Sequence, residues 1–325
     1  MYAGNEALVA NGAATMKSGS PQASSKATTA LLWAVLPGLG LTFLFTSSLK
    51  AAFLPVLLAP TFCLFWVNQS FPVTKRADLK TLIWTYVLTG TIGTTLVVVF
   101  QSLLSYGFAV VIFGSDLDTY FKEFGKSEKI LMEADEETLS RRREMAGRWG
   151  YWLYLVFLAF ITAGLIEEYM KYCALNLARR YGRVTKQRDF LTVAVAAALG
   201  FSTIENIGFV YAAVREKQPT NELFLTVAER VVVGSTGHSL PALLVGINAV
   251  QENYHNQPTS LFVVIRDAVL FHGSADFMLF AISAIDGNVG WVHPRGSLMY
   301  LMFALVIIMQ STFGCYVRQK LKRSS

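Results

Sequence analysis

Eight apolar runs govern what this 325-residue chain can fold into. They cover about residues 30–49, 51–69, 81–113, 150–178, 190–214, 223–250, 260–284 and 296–317. Each is near or above the roughly 20 residues that a helix needs to cross a bilayer's hydrocarbon. Only 15% of the residues are charged and mean hydropathy is +0.43, whereas a soluble globular chain carries about a quarter charged residues. The expected fold is all-α, a polytopic transmembrane bundle of about eight spans.

Between the runs the chain divides as follows. Residues 1–28, rich in Ala, Ser, Gly and Thr, predict a disordered tail. Residues 29–113 hold the N-terminal transmembrane helices, with Pro37, Pro55 and Pro60 predicting kinked or partly re-entrant segments. The run 81–113 exceeds what a bilayer needs and should tilt or project. Residues 114–149 form a charged loop with amphipathic helical character. Residues 150–317 form the second-half bundle, and 318–325 a basic tail. Lys and Arg crowd the 70–80 and 179–189 loops and the C-terminal tail. With eight spans all three fall on one side, which makes both termini cytosolic. Arg141, Arg142 and Arg143 are the exception, and the neighbouring acids Glu133, Asp135, Glu136 and Glu137 balance them. The sequon Asn68-Gln69-Ser70 then stays cytosolic and unused. Net charge is +6, with nothing arranged as a nucleic-acid patch. Cys63, Cys173 and Cys315 lie singly in apolar runs and read as buried, inert thiols.

The informative departures from apolarity are ionisable residues inside the runs. Such a charge costs on the order of 2.5–3.5 kcal/mol at mid-bilayer on insertion scales, and it is a functional-site candidate by default. The fourth run carries Glu167, Glu168 and Lys171, the fifth Glu205 with Asn206, the sixth Arg230 and His238, and the seventh Arg266, Asp267, His272 and Asp276. Glu167, Glu205, His238 and His272 each lie roughly 11–15 residues from the cytosolic end of their span, about 16–22 Å deep. Four helices therefore bring ionisable groups to one level. Glycines 200, 208, 234, 237 and 273 would let the helices approach closely there. Arg230 and Arg266 read more simply as interhelical or snorkelling residues near span ends.

Helical spacing lets either Glu167 (i,i+4) or Glu168 (i,i+3) reach Lys171, but only one fully. The preferred Glu-to-Lys polarity at i,i+4 assigns Glu167 to Lys171 and leaves Glu168 facing the site as general base. His272 and Asp276 share a face, so the carboxylate can orient the imidazole. Glu205 and Asn206 offer a second carboxylate and an amide donor for substrate or oxyanion. His238, His272 and Glu168 would fill three places of a catalytic zinc site. No HExxH helix is present, and a metal-free glutamate-and-histidine mechanism remains open beside the metal-dependent one.

Glu167-Glu168-x-x-Lys171, Gly200-Phe201 with Glu205-Asn206, His238 and His272-x-x-x-Asp276, in this order over residues 150–284, resemble the PrsW family of intramembrane proteases. That family is similar in turn to the CAAX prenyl endopeptidases and bacteriocin-processing enzymes. The resemblance implies peptide-bond hydrolysis in or near the bilayer, a membrane-anchored protein substrate, and Glu167, Glu168, His238 and His272 as catalytic residues. Lys171, Glu205, Asn206 and Asp276 would support them. The prenyl endopeptidases look metal-independent, while the PrsW family is described as metalloproteases, so zinc stays open. A proton- or ion-coupled transporter would use similar buried residues. The absence of polar counterparts in the first three runs, and of an inverted repeat, argues against it. A non-catalytic descendant of a protease is the third reading.

Overall fold

The computed structural model describes residues 53–69, 76–126, 130–131, 133–216, 220–253 and 260–324. The tail at 1–28 and the apolar run at 30–49, with Pro37, lie outside the described residues, as do residues 70–75 of the 70–80 loop. All regular structure among the described residues is helical. Six helices are long and apolar enough to cross a membrane: Leu79–Phe124, Trp149–Tyr181, Gln187–Arg215, Leu223–Asn253, Leu261–Ile285 and Ser297–Arg323. A seventh apolar helix, α1 (Phe53–Gln69), is 17 residues long and carries Pro60 inside it.

Asp78 starts the next span by accepting a hydrogen bond from Thr81 N (3.0 Å) at the N-cap of α2 (Leu79–Leu88). A π turn, Thr89–Gly93, joins α2 to α3 (Thr94–Phe113), and a 3-10 turn leads into α4 (Leu117–Phe124). After α5 (Glu136–Gly147) the fourth predicted run builds α6 (Trp149–Val156), a π stretch (Phe157–Leu165) and α7 (Ile166–Tyr181). The remaining helices are α8 (Gln187–Arg215), α9 (Thr220–Glu229), a π turn at Arg230–Gly234, α10 (Ser235–Asn253), α11 (Leu261–Ile285) and α12 (Ser297–Ser324).

Helix α8 is the centre of the bundle and packs against α1, α2, α7 and α10. Its middle is a run of small buried residues, Ala194, Ala196, Ala197 and Ala198, ending at Gly200. Lipid tails are as apolar as leucine, so helices associate in a membrane through close packing, which small residues permit. Gly200 is the tightest case: a Cβ there would sit 2.1 Å from the Tyr86 carbonyl oxygen of α2. Gly208, by contrast, faces open space and supports no close approach.

The charged 114–149 segment folds onto the end of the bundle. Its base is an aromatic cluster in which Phe113 stacks on Tyr120 (3.9 Å between ring centroids), with Tyr151 and Tyr154 alongside. Arg142, 1% exposed, donates to Glu123 Oε2 (2.7 Å) and to the Val289 carbonyl (2.6 Å), tying α5 to α4 and to the loop after α11. Arg141 donates to the same Glu123 (2.7 Å). Two members of the arginine triplet are thus committed to one buried carboxylate. The cysteines depart from expectation: Cys63, Cys173 and Cys315 are exposed on the bundle surface, since an apolar run marks a span without saying which face is turned outward.

Candidate functional site

The π stretch before α7 lies against α11 through two glycines. A Cβ on Gly164 would come within 3.1–3.2 Å of Val269 O and Gly273 N, and one on Gly273 would meet the Phe160 ring at 2.5 Å. This contact brings the first turn of α7 against His272. Glu167, Glu168 and Lys171 are all buried there, with Glu168 wholly enclosed. Lys171 Nζ donates to Glu168 Oε1 at 2.7 Å, and His272 Nδ1 lies 2.8 Å from the same oxygen. Glu167 lies farther from the ammonium, its Oε2 at 3.8 Å.

The sequence-based division of labour is therefore reversed. Glu168 is the partner of Lys171, and Glu167 is the carboxylate turned into the cavity. Glu168 is accordingly not grouped with the two histidines as a metal ligand; Glu167 is. The polarity preference for i,i+4 pairs reflects a solvated helix surface. In the interior, His272 reaches Glu168 from α11, so the ammonium and the imidazole converge on one carboxylate.

Both histidines are oriented by carboxylates. His238 Nε2 lies 2.7 Å from Glu205 Oε2, which assigns the proton to Nε2 and leaves Nδ1 as an acceptor, with Lys171 Nζ at 3.1 Å. His272 Nδ1 is assigned to Glu168 in the same way, leaving Nε2 unprotonated. The two rings meet edge to face with centroids 5.4 Å apart. Glu167 Oε2 lies 3.6 Å from both His238 Nδ1 and His272 Nε2. That oxygen, like Glu168 Oε2, is buried without a hydrogen-bond partner among the described residues, whereas Glu167 Oε1 accepts from Gln101 Nε2 at 3.0 Å.

A metal would fit this arrangement. Glu167, His238 and His272 each offer a ligand atom, all within 4.8 Å of one another. The orphaned Glu167 oxygen lacks a partner that a cation would supply, and each histidine carries a carboxylate on its second nitrogen, the usual outer support of a metal-bound imidazole. Two nitrogens and one oxygen suit zinc, with positions left over for water or substrate.

The other expected residues divide. Glu205 is in the site, engaged with His238. Asp276 Oδ2 is 3.5 Å from His272 Nε2, beyond a hydrogen bond, so Glu168 rather than Asp276 orients that ring. Asp276 lines the cavity and accepts no hydrogen bond among the described residues. Asn206 is wholly buried and donates to Ser202 Oγ and to the Arg230 carbonyl, each at 3.0 Å. Its amide nitrogen is committed inside the protein, while Oδ1 is buried without a hydrogen-bond partner among the described residues. Two contributors were missed. Gln101 of α3 brings the first half of the chain into the site; its signal was an uncharged amide midway along an apolar helix. Arg230, expected to be a snorkelling or packing residue, lines the cavity beside Phe209 and Trp291.

The cavity has a volume of about 230 Å³ and is lined by Glu167, Glu205, His238, His272 and Asp276 among others. A larger one, about 740 Å³, lies between α2 and α7 and contains none of these groups. The deciding feature is the chemistry of the lining, so the smaller cavity is the candidate site.

Fold and site together define an integral, multi-pass membrane protein with a buried Glu/His/His cluster shared by α7, α10 and α11. The sequence model described as "PrsW family intramembrane metalloprotease" matches residues 141–309, just over half of the chain, and the protein belongs to that family. It is similar to "Protease PrsW" of Clostridioides difficile (strain 630), 30% identical over 131 residues, covering 38% of this chain and 52% of that one. It is also similar to "Protease PrsW" of Shouchella clausii (strain KSM-K16), 27% identical over 124 residues, covering 37% and 54% respectively. The chain spans about half the length of these curated relatives. No solved structure matches it.

Proposed function

We propose that the protein is an intramembrane endopeptidase that hydrolyses a peptide bond of a membrane-anchored protein in the cavity between α7, α8, α10 and α11. The observation that carries this reading is the orphaned Glu167 Oε2 set between two imidazole nitrogens whose rings are fixed by other carboxylates. Such an arrangement is costly to bury unless a cation or a reacting water completes it.

Glu167, His238 and His272 would hold a divalent metal, zinc by the donor set. When bound there, the ion supplies a Lewis acid and lowers the pKa of its water. Lys171 donates to Glu168, and Glu168 keeps His272 in the tautomer that offers Nε2. Glu205 does the same for His238, offering Nδ1. Gln101 holds one oxygen of Glu167 and so fixes where the other points. Asp276, beside His272, takes the proton of the attacking water and returns it to the leaving amine. The surrounding apolar wall limits water to what the reaction consumes.

The test compares membrane proteomes of cells carrying the intact protein or Glu167→Gln. Single-span proteins should accumulate uncut in the variant. Identical cleavage patterns, with the variant present at normal level, would reject the protease reading.

A further inference from the structure

The wall of the cavity away from the Glu/His/His cluster carries a cation that the mechanism above does not use. The Arg230 guanidinium lies over the Phe209 ring, its Cζ 3.3 Å from the centroid, with the Trp291 ring centroid at 6.0 Å. Arg230, Phe209 and Trp291 all line the cavity. Among the described residues the guanidinium makes no ion pair and no hydrogen bond; it lies by these two rings, and its charge is felt across the cavity by Glu205 and Asp276. The neighbouring carboxylate, Glu229, is turned toward His293 Nε2 (3.5 Å).

The backbone beneath Arg230 is held in place. Its carbonyl, at the start of the π turn Arg230–Gly234, accepts from Asn206 Nδ2 (3.0 Å), and Gln310 Nε2 of α12 donates to Val233 O (2.8 Å) in the same turn. A snorkelling arginine extends its head toward water. Here the head lies over an aromatic ring in the cavity wall, on a pinned turn, with its N–H donors bonded to no acceptor among the described residues. Guanidinium matches carboxylate through two parallel hydrogen bonds, and stacking on an aromatic ring pre-orients that fork.

We infer that Arg230, with Phe209 and Trp291, forms a carboxylate-binding subsite for the peptide substrate: an aspartate or glutamate side chain, or a C-terminal carboxylate. The inference rests on the protease reading for the identity of the ligand. Arg230 precedes His238 by eight residues, about 10–12 Å along the helix axis. An extended peptide advances about 3.3 Å per residue, so the carboxylate would lie roughly three residues from the scissile bond.

The experiment uses the full chain in lipid nanodiscs and blocked apolar peptides in matched pairs. One pair carries Glu or Gln, scanned over three positions on each side of the peptide's centre; the other ends in a free carboxylate or an amide. Binding is measured on the Glu167→Gln protein, where hydrolysis does not intervene, and cleavage on the unaltered protein. The acid of at least one pair should bind about 10- to 100-fold tighter than its amide. Arg230→Met should reduce that ratio to within about twofold, and Arg230→Lys should retain part of it, because charge without the planar fork still attracts a carboxylate. The Glu/Gln pair and the terminal pair distinguish an acidic side chain from a chain end.

Equal binding of acid and amide, a preference that survives Arg230→Met, or no binding of any peptide overturns the subsite. So does an Arg230→Met variant that cleaves every peptide more slowly by one factor, which would assign the guanidinium to the oxyanion. If acid-selective binding through Arg230 persists but the unaltered protein cleaves nothing, the subsite stands and the protease reading fails.

Discussion

Glu167→Gln and Glu168→Gln change adjacent residues in the same way, yet the structure predicts opposite outcomes. Glu168 Oε1 receives Lys171 Nζ at 2.7 Å and His272 Nδ1 at 2.8 Å, and its side chain is 0% exposed. No solvent screens the loss, so neutralising Glu168 leaves a buried ammonium without its counter-charge. Breaking a buried pair from one side costs about 3–5 kcal/mol. At roughly 2–4 °C per kcal/mol, an apparent melting shift on the order of 10 °C follows. Glu167→Gln keeps an oxygen for Gln101 and leaves Lys171 on Glu168, so its stability should stay within about 1 kcal/mol of the unaltered protein. It should instead lose bound metal and, with it, most of the cleavage activity. The double variant Glu168→Gln/Lys171→Met removes both charges and should recover most of the lost stability, since a neutral pair of similar volume is near neutral in cost. The assay is far-UV circular dichroism melting of detergent-solubilised protein, because the three exposed cysteines would react with a thiol dye before unfolding. If Glu168→Gln melts normally while Glu167→Gln is the destabilised one, the pairing described here is wrong.

Four further outcomes are expected. His238→Ala and His272→Ala should each abolish metal binding, read as metal per chain in purified protein; stoichiometric metal in either variant would remove that histidine from the ligand set. Gly200→Ala places a methyl 2.1 Å from the Tyr86 carbonyl, a backbone atom that cannot rotate away, and should cost about 1–3 kcal/mol by pushing α8 from α2; an unchanged melting curve would show that the two helices are not in contact at this point. Both termini are expected in the cytosol, which protease protection of tagged protein checks. Asn68 should carry no glycan, since its Oδ1 accepts from Ala77 N at 3.1 Å inside the fold; a glycan there would reverse the orientation.

The sequence revealed most where a residue was costly in its place. Apolar runs fixed seven of the helices because hydrocarbon tolerates little else, and ionisable residues within four of them marked the site because each costs several kcal/mol unless it is used. Gln101 escaped because an amide carries no charge penalty large enough to stand out in a 20-residue apolar helix. For Asn206, spacing tells that it neighbours Glu205, but not that its amide nitrogen closes on the Arg230 carbonyl one helix away.

The assignment of Glu167 and Glu168 marks the limit of one-dimensional reasoning here. The two side chains diverge by about 100°, and both can reach Lys171 from their own helix, so α7 alone is nearly degenerate. What separates them comes from elsewhere. The π stretch Phe157–Leu165 offsets the phase with which α7 enters the bundle, the Gly164–Gly273 contact sets how close α11 comes, and Gln101 of α3 claims one oxygen of Glu167. His272 then reaches Glu168 with one nitrogen and faces Glu167 with the other. One imidazole thus distinguishes the carboxylate that holds Lys171 from the one that lines the cavity. Rotating α7 by one residue would exchange the two glutamates, and no residue within α7 forbids that; the packing of α3 and α11 does.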